Sequence, residues 1–231
     1  MARFSIVIPV FNEAKNITNL LDEIHLNLKD DDYEIIIVND CSVDDTSDVI
    51  ENYNKKSNLI LINNKSNRGQ SYSINKAINI ANCNTILTID GDGQNDPKDI
   101  NNLLETYFSD SNYSLVAGIR SKRKDNLIKI ISSKIANYLR SKILKDNCKD
   151  TGCSLKIFDK TVFLEFPYFD GIHRFLPSLF EGYGKKTFYI KVGHRFRANG
   201  KSNYGTLDRL FRGLRDIIKV YKILKNKKIN A

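Results

Sequence analysis

The chain has 231 residues, a formal net charge of +9 at pH 7 and 41% hydrophobic residues. This length supports one sizeable core and is marginal for two, so we expect a main domain over residues 1–205 and an appendage over residues 206–231. The apolar runs fall far short of the roughly 20 residues that cross a bilayer, and the N-terminus lacks a signal-peptide layout, which predicts a cytosolic, non-spanning chain.

The charge distribution is more informative than its total. Residues 194–231 carry eleven Lys or Arg against only Asp208 and Asp216, so the positive charge is concentrated at the C-terminal end. The four cysteines form no C-x-x-C pair and no zinc spacing, which favours reduced thiols over disulfides or a metal site.

Short β-branched runs alternate with segments of helical spacing. The first helical segment has apolar residues at 17, 20, 21, 24 and 28, and similar spacings recur from residue 74 and from residue 100. The predicted strands are Phe4–Phe11, Tyr33–Asp40, Asn58–Asn63, Thr85–Asp90 and Ser114–Arg120. Runs that are apolar throughout suit strands buried on both faces, with the helices as crossovers, so the pattern predicts an α/β fold with a mostly parallel sheet.

Polar residues follow the predicted strands where each of them ends. In an open α/β sheet, ligands bind outside the carboxyl ends of the strands, so these residues are the candidate site. The set comprises Pro9, Phe11, Asn12 and Glu13, then Asn39 and Asp40, then Asn67, Arg68 and Gly69, and finally Asp90, Asp92 and Gln94. Neither a G-x-G-x-x-G after the first strand nor a P-loop motif occurs, which argues against a dinucleotide oxidoreductase or a P-loop NTPase.

The stretch TILTIDGDGQNDP places Asp90 and Asp92 one residue apart after the fourth strand. Asp-Gly-Asp-Gly also fits a simple turn, because Asp and Gly are common turn residues. An EF-hand loop is excluded, since its sixth position would be Asn95 rather than Gly and its twelfth Asn101 rather than Glu. Beside the turn, the remaining interpretation is a hard divalent cation held by carboxylates and completed by phosphates and water.

An ordered set of motifs resembles the family 2 glycosyltransferases of the GT-A fold. These motifs are IVIPVFNE, IIIVNDCSVDDT, NRGQSYSINKAI and LTIDGDGQNDP. Within that family, DGDGQNDP, DTGCSLKIF and HRFRANGKSNYG are similar to the branch that includes dolichyl-phosphate mannose synthase and other polyprenyl-phosphate glycosyltransferases. The resemblance runs from about Phe4 to Gly205, and it implies a Rossmann-like GT-A domain with a Mg²⁺ or Mn²⁺ cofactor.

The resemblance also implies roles on the donor side. Its nucleotide-sugar-binding residues are Pro9, Phe11, Glu13, Asp40, Gly69, Asp90, Arg197 and Lys201, and Asp90, Asp92 and Gln94 are its metal-binding residues. Phe11 replaces a more usual Tyr of the family and lacks its hydroxyl. Glu13 also suits the N-terminal end of a helix and Asp40 a turn, because acids are favoured at both places.

On the acceptor side, the resemblance assigns a lipid phosphate to Arg120, Lys129 and Ser133. Lysine at 129 keeps the charge of the family's arginine but loses its bidentate fork. Asp92 and Asp150 are the catalytic residues that it implies. Because a phosphate dianion needs no base to become a nucleophile, Asp150 is equally consistent with a positioning or capping role.

The implied reaction is an inverting transfer of a sugar from a GDP-mannose or UDP-glucose type donor to a polyprenyl phosphate. The lipid phosphate attacks the anomeric carbon opposite the leaving nucleotide, through an oxocarbenium-like transition state. Preorganised positive charge stabilises the leaving diphosphate. No covalent enzyme intermediate is required.

The C-terminal segment LDRLFRGLRDIIKVYKILKNKK predicts a basic amphipathic helix. Its apolar positions are Leu207, Leu210, Phe211, Leu214, Ile217, Ile218, Tyr221 and Leu224, and most of its Lys and Arg lie off that stripe. Such a helix suits either an anionic membrane surface or packing on the domain or a partner subunit. We expect a peripheral protein on the inner face of the cytoplasmic membrane, with a homo-oligomer or a separate anchoring partner among its interactions.

Two other functions fit parts of the pattern. A family 2 transferase with a hydroxyl acceptor would require a true base and would not need Lys129 or Ser133. A basic module that binds nucleic acid would explain the C-terminal charge but not the converging acids, and the sequence carries no nucleic-acid-binding motif. We therefore expect no nucleic-acid partner.

Overall fold

The computed structural model describes residues 3–28, 33–54, 58–121, 137–196 and 206–229, with side chains in the last range from 213 to 227. Seven strands belong to one sheet: β1 Phe4–Val10, β2 Tyr33–Asn39, β3 Leu59–Asn63, β4 Thr85–Thr88, β5 Tyr113–Arg120, β6 Lys156–Asp159 and β7 Lys186–Val192. All five strands predicted from the sequence are present, with ends that differ by one or two residues.

The helices alternate with these strands along most of the chain. They are α1 Ile17–Asn27, α2 Thr46–Glu51, α3 Gln70–Ile80, α4 Asp99–Ser109, α5 at residues 137–144, α6 Lys160–Leu164, α7 Leu176–Gly182 and α8 Thr206–Ile229. A short 3₁₀ helix, Ile172–Arg174, precedes α7. Within the described ranges, every helix is too short or too polar to span a lipid bilayer.

The sheet has the strand order β3-β2-β1-β4-β6-β5-β7. Neighbouring strands are parallel except β6, which runs antiparallel to both β4 and β5. The mostly parallel α/β sheet predicted from the sequence is therefore confirmed. Strands β6 and β7 were not predicted, although β6 carries Lys156, a side chain that matters for the site.

Both faces of the sheet are covered, which explains why the strands are apolar throughout. Along β2, Ile35 and Ile37 belong to a core that includes residues of α1, α2 and α4, whereas Ile36 and Val38 belong to a core that includes residues of α3, α7 and α8. Alternating side chains of one strand thus enter two separate cores. The hydrophobic pattern of a single strand would not by itself distinguish these two layers.

Over residues 213–227, where its side chains are described, helix α8 packs on the domain through one side. Ile217, Val220 and Leu224 are buried in the second core, and Leu224 lies so close to Gly182 of α7 that a Cβ there would be 2.4 Å from a Leu224 methyl carbon. The stripe predicted as one apolar face is therefore divided, because Leu214, Ile218 and Tyr221 remain exposed.

Candidate active site

The carboxyl ends of β1, β2 and β4 bring the predicted donor-side residues to one edge of the sheet. The backbone N–H of Asp40 bonds Val10 O at 2.9 Å, so the loop after β2 continues directly beside the end of β1. Asn12 and Cys41 in these loops have φ of 57° and 62°. Such left-handed backbone is costly for residues other than glycine and is often found at functional sites.

Asp40 is buried and organises the loop that follows β3. Its Oδ1 accepts hydrogen bonds from Nδ2 of Asn64 at 2.8 Å and from the backbone N–H of Arg68 at 2.9 Å. Its Oδ2 accepts from the backbone N–H of Gly69 at 2.7 Å, where φ is 86° and a glycine is favoured. These donors engage both carboxylate oxygens, so Asp40 shapes the pocket edge through the loop of residues 64–69.

Glu13 is also buried and holds the start of α1. Its Oε2 accepts from Nδ2 of Asn16 at 2.6 Å, and its backbone N–H donates to Oγ1 of Thr46 at 2.9 Å. The neighbouring Phe11 is only half-buried. Glu13 thereby joins the loop after β1 to the start of α2, as its position before a helix suggested.

Asp90 and Asp92 follow β4 directly. Oδ1 of Asp90 accepts a hydrogen bond from Nε2 of Gln70 at 2.7 Å, and its backbone N–H donates to Oγ of Ser154 at 3.2 Å. Burial, and then the negative charge of Asp92, raise the pKa of Asp90 to about 6. The negative charges of the two carboxylates therefore repel each other.

The loop after these aspartates is anchored to two segments that are distant in the sequence. Asn95 is buried and accepts a hydrogen bond from Oγ of Ser154 at 2.7 Å. On the other side, Arg195 forms an ion pair with Asp96 at 2.7 Å and with Glu23 of α1 at 2.7 Å. The predicted metal ligand Gln94 comes directly before these two anchored residues, and its side-chain Nε2 donates to Arg195 O at 3.4 Å.

Arg120 and Asp150 form a bidentate ion pair at the end of β5. Nε and Nη2 of Arg120 donate to the two Asp150 oxygens at 2.7 Å each, and the Arg120 backbone N–H donates to Oδ2 at 3.2 Å. The side chains are 11% and 6% exposed. A Cβ at Gly152 would approach Nη2 of Arg120 to 2.7 Å, so this glycine provides space for the pair.

This pair changes how two predicted residues are understood. The family resemblance suggested Arg120 as a phosphate ligand and Asp150 as a catalytic base, with a positioning or capping role for Asp150 left open. An aspartate held by a buried guanidinium is stabilised in its charged form, which makes it a weak proton acceptor. The geometry favours the positioning role that the sequence left open for Asp150.

Four predicted site residues cannot be located. Lys129, Ser133, Arg197 and Lys201 lie outside the described residues, and their proposed contacts with the acceptor phosphate and the donor diphosphate stay predictions.

The comparisons with known proteins come from sequence and from structure. A model of glycosyl transferase family 2 matches residues 5–166, which is more than half of the chain. The chain belongs to glycosyl transferase family 2. Its relatives include the dodecaprenyl-phosphate galacturonate synthase of Rhizobium johnstonii, which is 32% identical over 96% of this chain and 68% of its own length.

A second relative of this family 2 glycosyltransferase is the undecaprenyl-phosphate 4-deoxy-4-formamido-L-arabinose transferase of Photorhabdus laumondii. It is 30% identical over 87% of this chain. The chain spans 63% of the length of that relative, so one third or more of the relative has no counterpart here.

Solved structures show the same fold at low identity. A mannosyltransferase from Pyrobaculum calidifontis in complex with GDP-Man and Mn²⁺ has a TM-score of 0.68 at 17% identity, over 97% of this chain and 68% of that one. A glucosyl-3-phosphoglycerate synthase from Mycobacterium tuberculosis in complex with Mn²⁺, UDP and glucosyl-3-phosphoglycerate has a TM-score of 0.69 at 16% identity, over 95% and 78%. These similarities establish the GT-A fold of the family 2 chain.

The candidate metal ligands of the family 2 chain suit a hard divalent cation. Asp90 and Asp92 provide carboxylate oxygens, which Mg²⁺ and Mn²⁺ prefer, and their mutual repulsion is the kind of interaction that a bound cation relieves. In the described part of the chain, no three His, Cys, Asp or Glu side chains cluster as a complete metal site. The two aspartates would hold a cation whose remaining coordination positions are filled by substrate phosphates and water.

Sequence analysis missed two residues of this family 2 site, Lys156 and His173. Both line a small pocket together with Asp90, Gln70 and Pro9. The available signal was a lone lysine within the apolar run Leu155–Phe158 of DTGCSLKIF, because a charged residue inside a buried strand is rare unless it has a function. His173 gave a weaker signal, since a single histidine in a sequence is more often structural than catalytic.

Proposed function

We propose that this chain is an inverting, metal-dependent glycosyltransferase that transfers a sugar from a nucleotide-sugar to a polyprenyl phosphate. The observation that carries the proposal is the repelling Asp90–Asp92 pair at the carboxyl edge of a GT-A sheet. Two relatives whose names specify dodecaprenyl phosphate and undecaprenyl phosphate support the acceptor class.

On the donor side, Asp90 and Asp92 would hold Mg²⁺ or Mn²⁺, which when bound neutralises charge on the departing diphosphate. Asp40 and Glu13 keep the loops after β2 and β1 in place, as their hydrogen bonds suggest. Arg195 fastens the loop of residues 90–96 to α1, which limits movement of Asp92 relative to the sheet. A preorganised arrangement of this kind lowers the cost of stabilising charge in the transition state.

On the acceptor side, Arg120 would bind the lipid phosphate, with Lys129 and Ser133 as further ligands. Asp150 orients the Arg120 guanidinium through two hydrogen bonds of 2.7 Å. A phosphate oxygen then attacks the anomeric carbon without a protein base. A hydroxyl acceptor would need such a base, and the commitment of Asp150 to Arg120 disfavours that alternative.

The proposed location is the surface of an anionic membrane, on its cytoplasmic side. The exposed side of α8 combines Leu214, Ile218 and Tyr221 with neighbouring basic residues, and Lys222 and Lys225 are also exposed. A stripe of this composition suits the interface between lipid headgroups and acyl chains. The acceptor is itself a membrane lipid, so surface binding would concentrate the enzyme at its substrate.

The direct test is transfer of a radiolabelled sugar. Purified protein is incubated with Mn²⁺, undecaprenyl phosphate and in turn GDP-mannose, UDP-glucose, UDP-glucuronate and UDP-galacturonate. We expect label in the organic phase for at least one donor, with a loss of about 10²–10³-fold in Asp92→Ala, since one electrostatic contact in a preorganised site is worth that much. Equal turnover in EDTA, or label that stays in the aqueous phase, would contradict the proposal.

A further inference from the structure

A small pocket lies directly beneath Asp90, between the sheet, α3 and the start of α7. Its lining includes Leu176 and the polar residues Gln70, Thr88, Asp90, Ser154, Lys156 and His173. Lys156 and Thr88 are directly opposite each other in the antiparallel pair of β6 and β4, which places both at the edge of the sheet that carries Asp90. The pocket therefore adjoins the proposed donor site.

Among the described residues, Lys156 is a buried cation that forms no ion pair with a carboxylate. It is 2% exposed, and its Nζ donates a hydrogen bond to Cys153 O. Across the described ranges no carboxylate forms an ion pair with it, although its charge acts on Asp90 from a longer distance and lowers the pKa of that residue. Burial of an ammonium group is costly unless an anion compensates it, so a partner from outside the protein is expected.

His173 supplies a second hydrogen-bond donor to the same pocket. Its Nδ1 lies 2.7 Å from Oγ of Ser71, which already accepts a hydrogen bond from the backbone N–H of Gly171. Ser71 is fully buried and its hydroxyl hydrogen has no other acceptor among the described residues, so we assign that hydrogen to Nδ1, which places the proton of a neutral ring on Nε2. Burial and the nearby charges of Arg174 and Lys156 hold the pKa of His173 well below its usual value, so the ring is neutral.

We infer that Lys156 and Nε2–H of His173 form an oxyanion subsite beneath Asp90, which takes an anionic oxygen of a bound substrate. This inference rests on the proposed function. Two substrate groups share the required chemistry, namely the phosphate of the lipid acceptor and a carboxylate on the transferred sugar. The diphosphate of the nucleotide-sugar would bind at Asp90 and Asp92, so its affinity should not depend on Lys156.

The test compares Lys156→Met with Lys160→Met. Lys160 is a matched control, because its Nζ also donates to a backbone carbonyl, Ala81 O at 2.6 Å, but at the opposite end of β6. KM is measured for undecaprenyl phosphate and for UDP-glucuronate, UDP-galacturonate and UDP-glucose, and the affinity for UDP with Mn²⁺ is measured by calorimetry. We expect at least a tenfold rise in one KM for Lys156→Met, partial recovery in Lys156→Arg and no change for Lys160→Met.

The affected KM identifies the source of the oxyanion. If the KM for the lipid phosphate rises with every sugar donor, the oxyanion is the phosphate of the acceptor. If only the KM values of the uronate donors rise, the oxyanion is the carboxylate of the sugar. Unchanged KM values, or a weaker affinity for UDP alone, would overturn the subsite. If wild-type protein transfers no sugar from any donor, the proposed function itself fails.

Thermal unfolding separates a substrate contact from a structural role. If Lys156 serves a substrate, its replacement by Met removes an uncompensated buried charge, so Tm stays equal or rises. A lower Tm with unchanged KM would show that Lys156 only holds Cys153 O. His173→Ala provides an independent variant if Lys156→Met does not fold, and it is expected to raise the same KM, while an unchanged KM there also overturns the subsite.

Discussion

At the scale of single residues, the Arg120–Asp150 pair shows how one contact changes the interpretation of two residues. Each side chain alone suggested its own role, as phosphate ligand or as base. Their bidentate contact at 2.7 Å, with both side chains nearly buried, makes them one unit in which Asp150 fixes the guanidinium plane.

We predict that Asp150→Asn lowers stability and acceptor affinity together. Loss of one partner leaves a buried charge uncompensated, which typically costs about 3–5 kcal/mol, so Tm should fall by several degrees. KM for the lipid phosphate should rise, and the pH profile of kcat should keep the shape of the wild type. Chemical denaturation and initial-rate kinetics measure these effects.

Asp110→Asn serves as the control for this prediction, because it breaks the exposed Lys186–Asp110 pair and should leave unfolding unchanged. The double variant Arg120→Met, Asp150→Asn should be less destabilised than the sum of the two single variants. A lost limb of the pH–rate profile at normal stability would instead identify Asp150 as a base.

Asp90 permits a prediction of pH-dependent stability. Its pKa is raised to about 6 in the folded protein, from 3.8, so ionised Asp90 destabilises the fold at neutral pH. Asp90→Asn should stabilise the metal-free protein at pH 7.5 by on the order of 1–3 kcal/mol, since each unit of pKa shift corresponds to about 1.4 kcal/mol. As pH falls through 6 towards 4, the folded state takes up the proton first and the advantage should disappear. Urea unfolding at several pH values would contradict this if the variant were less stable at pH 7.5.

At the scale of elements, α8 has two apolar sides with different uses. Ile217, Val220 and Leu224 bury one side against α7, and the side with Leu214, Ile218 and Tyr221 faces outward. A helix that only packed on the domain would be expected to carry polar residues on its outer side. The division supports a surface-bound helix that is also part of the domain core.

We predict that the double variant Leu214→Gln, Ile218→Gln loses binding to vesicles that contain 30% phosphatidylglycerol. These side chains are exposed, so Tm should not change, whereas removal of their apolar area should weaken sedimentation with vesicles at least tenfold. Leu224→Ala is the matched packed-side variant, and it should cost about 2–4 kcal/mol of stability. Undiminished vesicle binding by the double variant would refute the membrane role of this side.

At the scale of the whole molecule, the site depends on segments that are distant in sequence. Ser154 joins Asp90 to Asn95, Arg195 joins Asp96 to Glu23, and Gln70 contacts Asp90 from α3. Ligands that bridge these segments bind the folded state only, so they should stabilise the entire domain cooperatively.

We predict that a nucleotide-sugar donor and Mn²⁺ together raise Tm by about 5–10 °C. At a donor concentration of 100 times Kd, the gain is about 2.7 kcal/mol, and a domain of this size gains roughly 2–4 °C per kcal/mol. The donor without metal should give a much smaller shift, and Asp92→Asn should abolish the difference. Differential scanning fluorimetry measures the shift, and equal shifts with and without EDTA would count against the metal.

The amino-acid sequence determined five of the seven strands of the described sheet, their burial on both faces and the sheet edge to which Asp40, Asp90 and Asp92 belong. These features follow from local hydrophobic runs and from the rule that parallel strands end together, so no long-range contact is needed to infer them. The family motifs extended this to the glycosyltransferase fold.

The tertiary structure decided which polar side chains pair with one another, which line the pocket and which are exposed. The pairing of Arg120 with Asp150, the division of α8 into a packed and an exposed side, and the burial of Lys156 beneath Asp90 all join segments far apart in the chain. The charge of a side chain and its position in the sequence do not reveal which residue it pairs with. Pairing depends on how the strands and helices pack together. That packing is a property of the folded chain as a whole.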